Sequence, residues 1–381
     1  MELFRAVAAT PGPQRLQATL RLAVRAAAEG RGEESISLYA SVVTNAAAAK
    51  GELVAARLGR GRASYRAYRF EDARADFGAV AALDPARADQ MRFFAALCLY
   101  GSGKDDASRE EAERLHASST DPALRADVSL WLAKWHYNHG EWAMAQNRYE
   151  EYAALHTKGD RCADALTWAA RCAAAHGDDA KAVELASRAV KAAPDAPFVA
   201  DTLSVQGEAL MELARFAEAV LIFDRVIELT APGEVRRRAA FRRADALYAM
   251  GADNAVRYAD ALKAYENLMA DAELSPSERI VAAYRIGRAL GKLGRDKEAE
   301  DRLYSGVVLA WRDAREKGLW LNEVAATSFS RAAFALVDRF AARNNAQAAA
   351  AVLRLVKDSG TAVAEEAARR LQKFERKGII R

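Results

Sequence analysis

A small residue followed four positions later by a large apolar one recurs along this chain. Ser35 precedes Tyr39, Ala73 precedes Phe77, Ala145 precedes Tyr149, Ala219 precedes Phe223, Ala261 precedes Tyr265 and Ala299 precedes Leu303. Ala182 precedes Ala186 in the same phase. Neighbouring members lie mostly 37 or 38 residues apart, with one step of 42. A spacing of four puts both residues on one face of a helix, and a long fixed period marks a repeated supersecondary unit. A second helical pattern precedes these pairs, as in Leu130–Tyr137, Leu203–Leu213, Phe241–Met250 and Tyr284–Leu293. Gly30, Gly140, Gly177, Gly251 and Gly294 mark the turn between the two patterns, and Pro85, Pro194 and Pro232 mark a later one. The repeated unit therefore reads as helix, short turn, helix, longer turn.

Composition agrees with an all-α chain. Of 381 residues, 51% are hydrophobic, about a quarter are alanine, and only 8 are proline. Alanine is the best helix former, and glycine and proline the worst. A chain this apolar is not intrinsically disordered, and glycine has no period of three, which excludes a collagen-like fibre. Length alone suggests two or three domains, but a repeat over the whole chain predicts one elongated stack spanning 1–381.

Several units carry more of one pattern. Gly61 and Tyr65 stand before Ala73, Phe77 and Pro85; Ala170 and Gly177 before Ala182 and Pro194; Gly207, Leu210 and Phe216 before Ala219, Phe223 and Pro232; and Gly287 and Gly294 before Ala299. These residues resemble the tetratricopeptide repeat family, in a bacterial form with long units. The resemblance implies an α-solenoid of about nine stacked helix-turn-helix repeats wound into a right-handed superhelix. Residues 1–13 (Leu3 to Pro13) resemble the tail of a preceding repeat, which suggests a longer parent or a misassigned start. Repeats fill about 14–357, and 361–377 (Thr361 to Lys377) read as a charged capping helix. Three stretches depart from the pattern. In 86–122 the turn is expected to be lengthened by Gly103-Lys104-Asp105-Asp106, with Leu115 in the aromatic place. Extra residues fall in Gly251 to Val256, within 251–276, and a longer helical stretch (LAWRDAREKG) precedes the last unit, which starts near Val324.

No catalytic constellation stands in the sequence: it has no GxSxG, HExxH or P-loop, and no GxGxxG follows a strand. This predicts a protein that is not an enzyme and needs no cofactor. Cys162 and Cys172 fall on one helix about 15 Å apart, too far for a disulfide; with Cys98 they read as buried thiols. His136 and His139 share a helix face near Gly140, where a helix C-terminus favours such groups, and no further ligands are near enough in sequence for a metal. The aromatic run Trp131, Trp135, Tyr137, Trp142, Tyr149, Tyr152 and Trp168 fits either an inter-repeat core or an exposed binding patch.

The net charge of +4 is weak, so no nucleic-acid partner is expected. The densest basic run, Arg236, Arg237, Arg238, Arg242 and Arg243, reads as the solvated face and ends of two helices. The N-terminus lacks a signal-peptide pattern, and no apolar run reaches a membrane span. The chain reads as soluble: periplasmic or envelope-associated if a missing N-terminus carries a signal, otherwise cytoplasmic.

In the tetratricopeptide family the first helix of each unit lines a concave groove. Projected onto this sequence, that nominates Arg62, Tyr65 and Arg66; Lys134, Tyr137 and Asn138; Arg171; Glu208, Met211 and Glu212; Arg242; and Tyr284, Arg288 and Lys292. Around Arg57 to Arg66, Leu58-Gly59 offers a competing register. The nominated charges are mostly positive, which favours an acidic or carboxylate-bearing protein or peptide. The Lys and Asn set of chaperone-binding members does not recur. The expected role is a non-enzymatic scaffold binding a protein segment in the groove. The alternative is an accessory or regulatory region of a larger enzyme, signalling protein or envelope-assembly protein.

Overall fold

The structure, a computed structural model, describes residues 2–12, 14–156 and 158–376. Pro13 and Lys377, at the edges of the expected N-terminal tail and C-terminal cap, lie outside the described residues. Every regular element among the described residues is helical. The chain divides into two compact units: residues 1–178 with 191–194, and residues 179–190 with 195–381.

The first unit holds α1 (Glu2–Ala9), α2 (Arg15–Ala28), α3 (Gly32–Val43), α4 (Lys50–Arg66), α5 (Phe70–Leu83), α6 (Ala88–Gly101), α7 (Asp105–Ser118), α8 (Pro122–Asn138), α9 (Trp142–Leu155) and α10 (Asp160–Ala175). Each helix packs on the next in chain order, so α2–α3, α4–α5, α6–α7 and α8–α9 are antiparallel hairpins. The second unit holds α11 (Asp179–Ala192), α12 (Val199–Glu212), α13 (Phe216–Leu229), α14 (Glu234–Met250), α15 (Val256–Met269), α16 (Pro276–Lys292), α17 (Asp296–Leu303), α18 (Ala310–Glu316), α19 (Glu323–Ala342), α20 (Ala346–Lys357) and α21 (Ala364–Arg376). Its hairpins are α12–α13, α14–α15, α16–α17 and α19–α20, and α21 packs on α20 through Ala367 and Leu371. A π-helical segment, Tyr304–Leu309, joins α17 to α18, so the long stretch before the last hairpin continues the second helix of its predecessor.

The repeat is more regular in space than in sequence. The fourth residue of the second helix is Ser35, Ala73, Ser108, Ala145, Ala182, Ala219, Ala299 or Ala349, and its exposure is 0% in all of them. The hydroxyls of Ser35 and Ser108 donate to the carbonyls of Ala23 and Ala96 on the preceding helix, so a serine replaces alanine without leaving a polar group unpaired. The eighth residue is Tyr39, Phe77, Tyr149, Phe223 or Leu303 in five of these helices; Phe77, Phe223 and Leu303 each press on a glycine sixteen positions earlier, and Tyr39 presses on Gly59 of the next helix. A Cβ added at Gly61, Gly207 or Gly287 would lie 2.9, 2.7 or 2.6 Å from Phe77, Phe223 or Leu303 respectively. Only glycine lets the helices approach this closely.

This register corrects the reading of α7. Ala112 occupies the eighth place, and Leu115 falls one turn later; both are buried. The α6–α7 turn is not lengthened either. Eight turns share one geometry: a residue with positive φ, two positions before the second helix, followed by a backbone N–H that reaches back five residues. Gly30, Gly103, Gly140, Gly177 and Gly294 have φ of 72 to 87°, while Tyr68, Ala214 and Asn344 take 59, 55 and 57°. The returning bonds, such as Lys104 N–H to Leu99 O at 3.0 Å and Arg215 N–H to Leu210 O at 2.9 Å, make each a Schellman turn. Gly251 is the exception: its φ is −62° and it lies against Tyr258, where added residues widen the α14–α15 turn.

Two consequences are measurable. Replacing Ala214 by glycine relieves a left-handed alanine and should stabilise the fold by about 0.5–1 kcal/mol in urea unfolding; a loss would contradict the turn assignment. Ala219→Leu should overpack the α12–α13 contact and cost about 1–3 kcal/mol, and a variant that melts like the parent would contradict that contact.

Candidate functional site

The nominated residues fall on the first helices of the hairpins and separate into local groups. On α4, the close fit of Gly61 against Phe77 fixes which side of the helix is buried. Beside that contact the helix presents Arg62, Tyr65 and Arg66, all exposed. They line a cavity of about 250 Å³ together with Phe77, Phe94 and Leu97. The Arg62 guanidinium lies 5.9 Å from the Phe94 ring centre, and Tyr65 meets Phe70 edge-on at 5.4 Å. Among the described residues, neither Arg62 nor Arg66 has a carboxylate within ion-pair distance. The other α4 arginines do different work. Arg57 and Arg60 hold the fully buried Asp76 at 3.2 and 2.7 Å, neutralising a carboxylate that would otherwise be costly to bury. Sequence reading missed Phe94 and Leu97, because their place beside α4 follows from the packing of α6.

On α8, Lys134 and Asn138 are exposed, and Tyr137 is half-buried between Trp142 and Trp168, at 5.0 and 5.1 Å. Arg171 of α10 lies 4.6 Å above the Trp168 ring, a cation–π contact. No member of the aromatic run is exposed. Trp135 is buried and stacked on His139 at 3.7 Å, and Trp131 meets Tyr100 edge-on at 5.8 Å. The run is inter-helix core, and the reading as an exposed patch is set aside. His136 is paired with Glu141, and His139 Nδ1–H donates to Trp135 O at 2.8 Å, closing α8.

In the second unit the nominated residues have different fates. Glu208 and Arg242 pair at 2.8 Å, so the two cancel. Met211 packs against the core around Leu203 and Phe223, Glu212 is exposed, and Lys292 is exposed at the end of α16. Tyr284 and Arg288 line a cleft of about 300 Å³ with Asp245, Tyr248, Tyr265, Arg285, Thr327 and Arg331. Its floor is a hydrogen-bonded ion pair. The Tyr265 hydroxyl donates to Asp245 at 2.6 Å, and Arg285 lies 3.0 Å from the same carboxylate. Burial pushes the Asp245 carboxyl above its usual range, against the pull of Arg285 and Tyr265. Asp245, Arg285 and Arg331 were not nominated; their only sequence signal is recurrence about one repeat apart on first helices.

The densest basic run also resolves differently. All five arginines stand on the single helix α14, not on two. Arg236 donates to Thr230 O, Arg237 sits among Asp271, Glu273 and Glu278, Arg242 pairs with Glu208, and Arg243 pairs with Asp224. This run is largely neutralised.

Tyr265→Phe removes the hydroxyl that Asp245 accepts. Hydrogen bonds to charged groups are worth about 1.5–3 kcal/mol, so chemical denaturation should show a loss of that order; an unchanged midpoint would remove this interaction from the floor of the cleft.

The tetratricopeptide repeat family model matches residues 132–197. No curated protein matches the chain in sequence. Among solved structures, the C-terminal part of a TPR repeat-containing protein from Cytophaga hutchinsonii is 14% identical, with 72% of this chain and 99% of that one covered and a TM-score of 0.51. The apo form of RapI is 12% identical over 94% of this chain and 98% of its own, with a TM-score of 0.46. MamA is 17% identical over 50% and 98%, with a TM-score of 0.39. No described helix is long and apolar enough to cross a membrane. The described residues thus form an all-α stack of helix–turn–helix hairpins similar in fold to a TPR repeat-containing protein, and residues 132–197 match the tetratricopeptide repeat.

Proposed function

We propose that this protein is a non-enzymatic scaffold that holds an acidic segment of another protein against the exposed faces of its first helices. The supporting observation is the arrangement on α4. Among the described residues Arg62 and Arg66 lack carboxylate partners, and they flank an apolar depression made by Tyr65, Phe94 and Leu97. An aspartate or glutamate beside an apolar side chain satisfies both features, because charge-assisted guanidinium–carboxylate bonds are strong and planar. Lys134 and Arg171 extend the same surplus, since neither has a carboxylate partner among the described residues.

The contrast with the second helices supports this reading. Their starts are laced with short-range ion pairs, such as Arg74–Glu71, Arg215–Glu218 and Arg295–Glu298. These cations are internally satisfied, whereas among the described residues Arg62, Arg66, Lys134 and Arg171 on the first helices have no carboxylate partner.

The reading is tested with peptides selected from a random display library against the full chain. Selected peptides should be rich in Asp and Glu, and their binding should weaken with added salt. The combined variant Arg62→Glu, Arg66→Glu, Lys134→Glu and Arg171→Glu should lose about tenfold or more in affinity while keeping its helical circular dichroism. Unchanged capture by the folded variant would remove this surface from the function.

A further inference from the structure

The cleft between α14, α16 and α19 carries more positive charge than its own fold uses. Three guanidiniums, those of Arg285, Arg288 and Arg331, share its lining with one carboxylate, Asp245. Asp245 is already committed to Tyr265 and Arg285. Arg288 is held by aromatic rings instead, 4.7 Å from the Tyr248 centre and 5.8 Å from Tyr284. Among the described residues neither Arg288 nor Arg331 has a carboxylate partner, and both are exposed. Tyr248, Tyr284 and Thr327, three hydroxyl-bearing residues, also line it.

We infer that this cleft binds a phosphate monoester group. Three observations carry the choice. The surplus of two positive charges matches a phosphate monoester, which carries about −1.5 to −2 at neutral pH, whereas a single carboxylate would leave one guanidinium uncompensated. Arginine forks suit phosphate oxygens, and neighbouring hydroxyls can donate to those that remain. The volume, about 300 Å³, fits one side-chain-sized group and sits at the lower end of small-molecule sites. The phosphate has two sources with the same chemistry: a phosphorylated side chain of a bound protein, or a free small phosphomonoester. The inference does not depend on the α4 surface, so either can fail alone.

The test is calorimetric titration of the full chain, at fixed ionic strength, with phenyl phosphate, with benzoate and with a phosphoserine-containing decapeptide. Phenyl phosphate should bind measurably and more tightly than benzoate. The double variant Arg288→Gln and Arg331→Gln, at two exposed positions, should weaken it by about tenfold or more while keeping its helical circular dichroism. The control Arg62→Gln and Arg66→Gln should leave it unchanged. A decapeptide that binds more tightly than phenyl phosphate identifies a protein-borne phosphate, and one that binds no better identifies a free phosphomonoester; both support the site. No binding to the parent chain, equal affinity for benzoate, or equal weakening by the α4 control would overturn it. Loss of acidic-peptide binding in the α4 variant with phosphate binding intact would leave this site standing.

Discussion

The close approach of two helices within each hairpin is the contact on which the rest depends. A helix pair can bring its axes together only where one side offers almost no side chain. Here the small residue is the fourth of the second helix, and the large residue four positions later fills the space against Gly61, Gly207 or Gly287. Because a lone hairpin leaves an apolar stripe uncovered, each must also lie on its neighbour. The clusters around Phe77, Phe223 and Leu303 are this one contact repeated with different residues. That is why alanine recurs at this place.

Most of the fold was legible in the sequence because these contacts are local. The partner of Phe223 is sixteen residues away, and both ends carry a compositional mark. Legibility failed where structure does not demand a particular residue. Tyr68, Ala214 and Asn344 close hairpins in the left-handed conformation that glycine ordinarily serves, so punctuation alone hid those turns. In α7 a small residue at the eighth place left Leu115 as the conspicuous but misplaced candidate. Gly251 looked like a turn glycine and instead makes room for Tyr258.

The site was legible only in part, for an electrostatic reason. Three-and-four spacing on α4 was enough to bring Arg62, Tyr65 and Arg66 to one surface. Whether a cation is free to meet a partner depends on carboxylates one repeat away. Glu208 reaches Arg242 and Asp245 reaches Arg285 across neighbouring hairpins, and no pattern within a helix announces such pairs. The arginine-rich start of α14, the most basic run in the sequence, is largely spent internally, while isolated arginines such as Arg66 and Arg331 are not. Local charge density is therefore a poor guide to available charge in a stacked fold.

The π-helical segment Tyr304–Leu309 has a geometric consequence for the last hairpins. In an α-helix, a residue four positions on is turned by about 40° from its predecessor, so a stripe of every fourth residue drifts around the axis. Ala299, Leu303, Val307 and Trp311 are nevertheless all buried, and Trp311 stacks on Phe329 at 4.9 Å. Wider winding over the π turn takes back part of that drift. One extended helix thus keeps a single face toward its neighbour over three successive turns, at a point where the chain grows longer within a helix instead of within a loop.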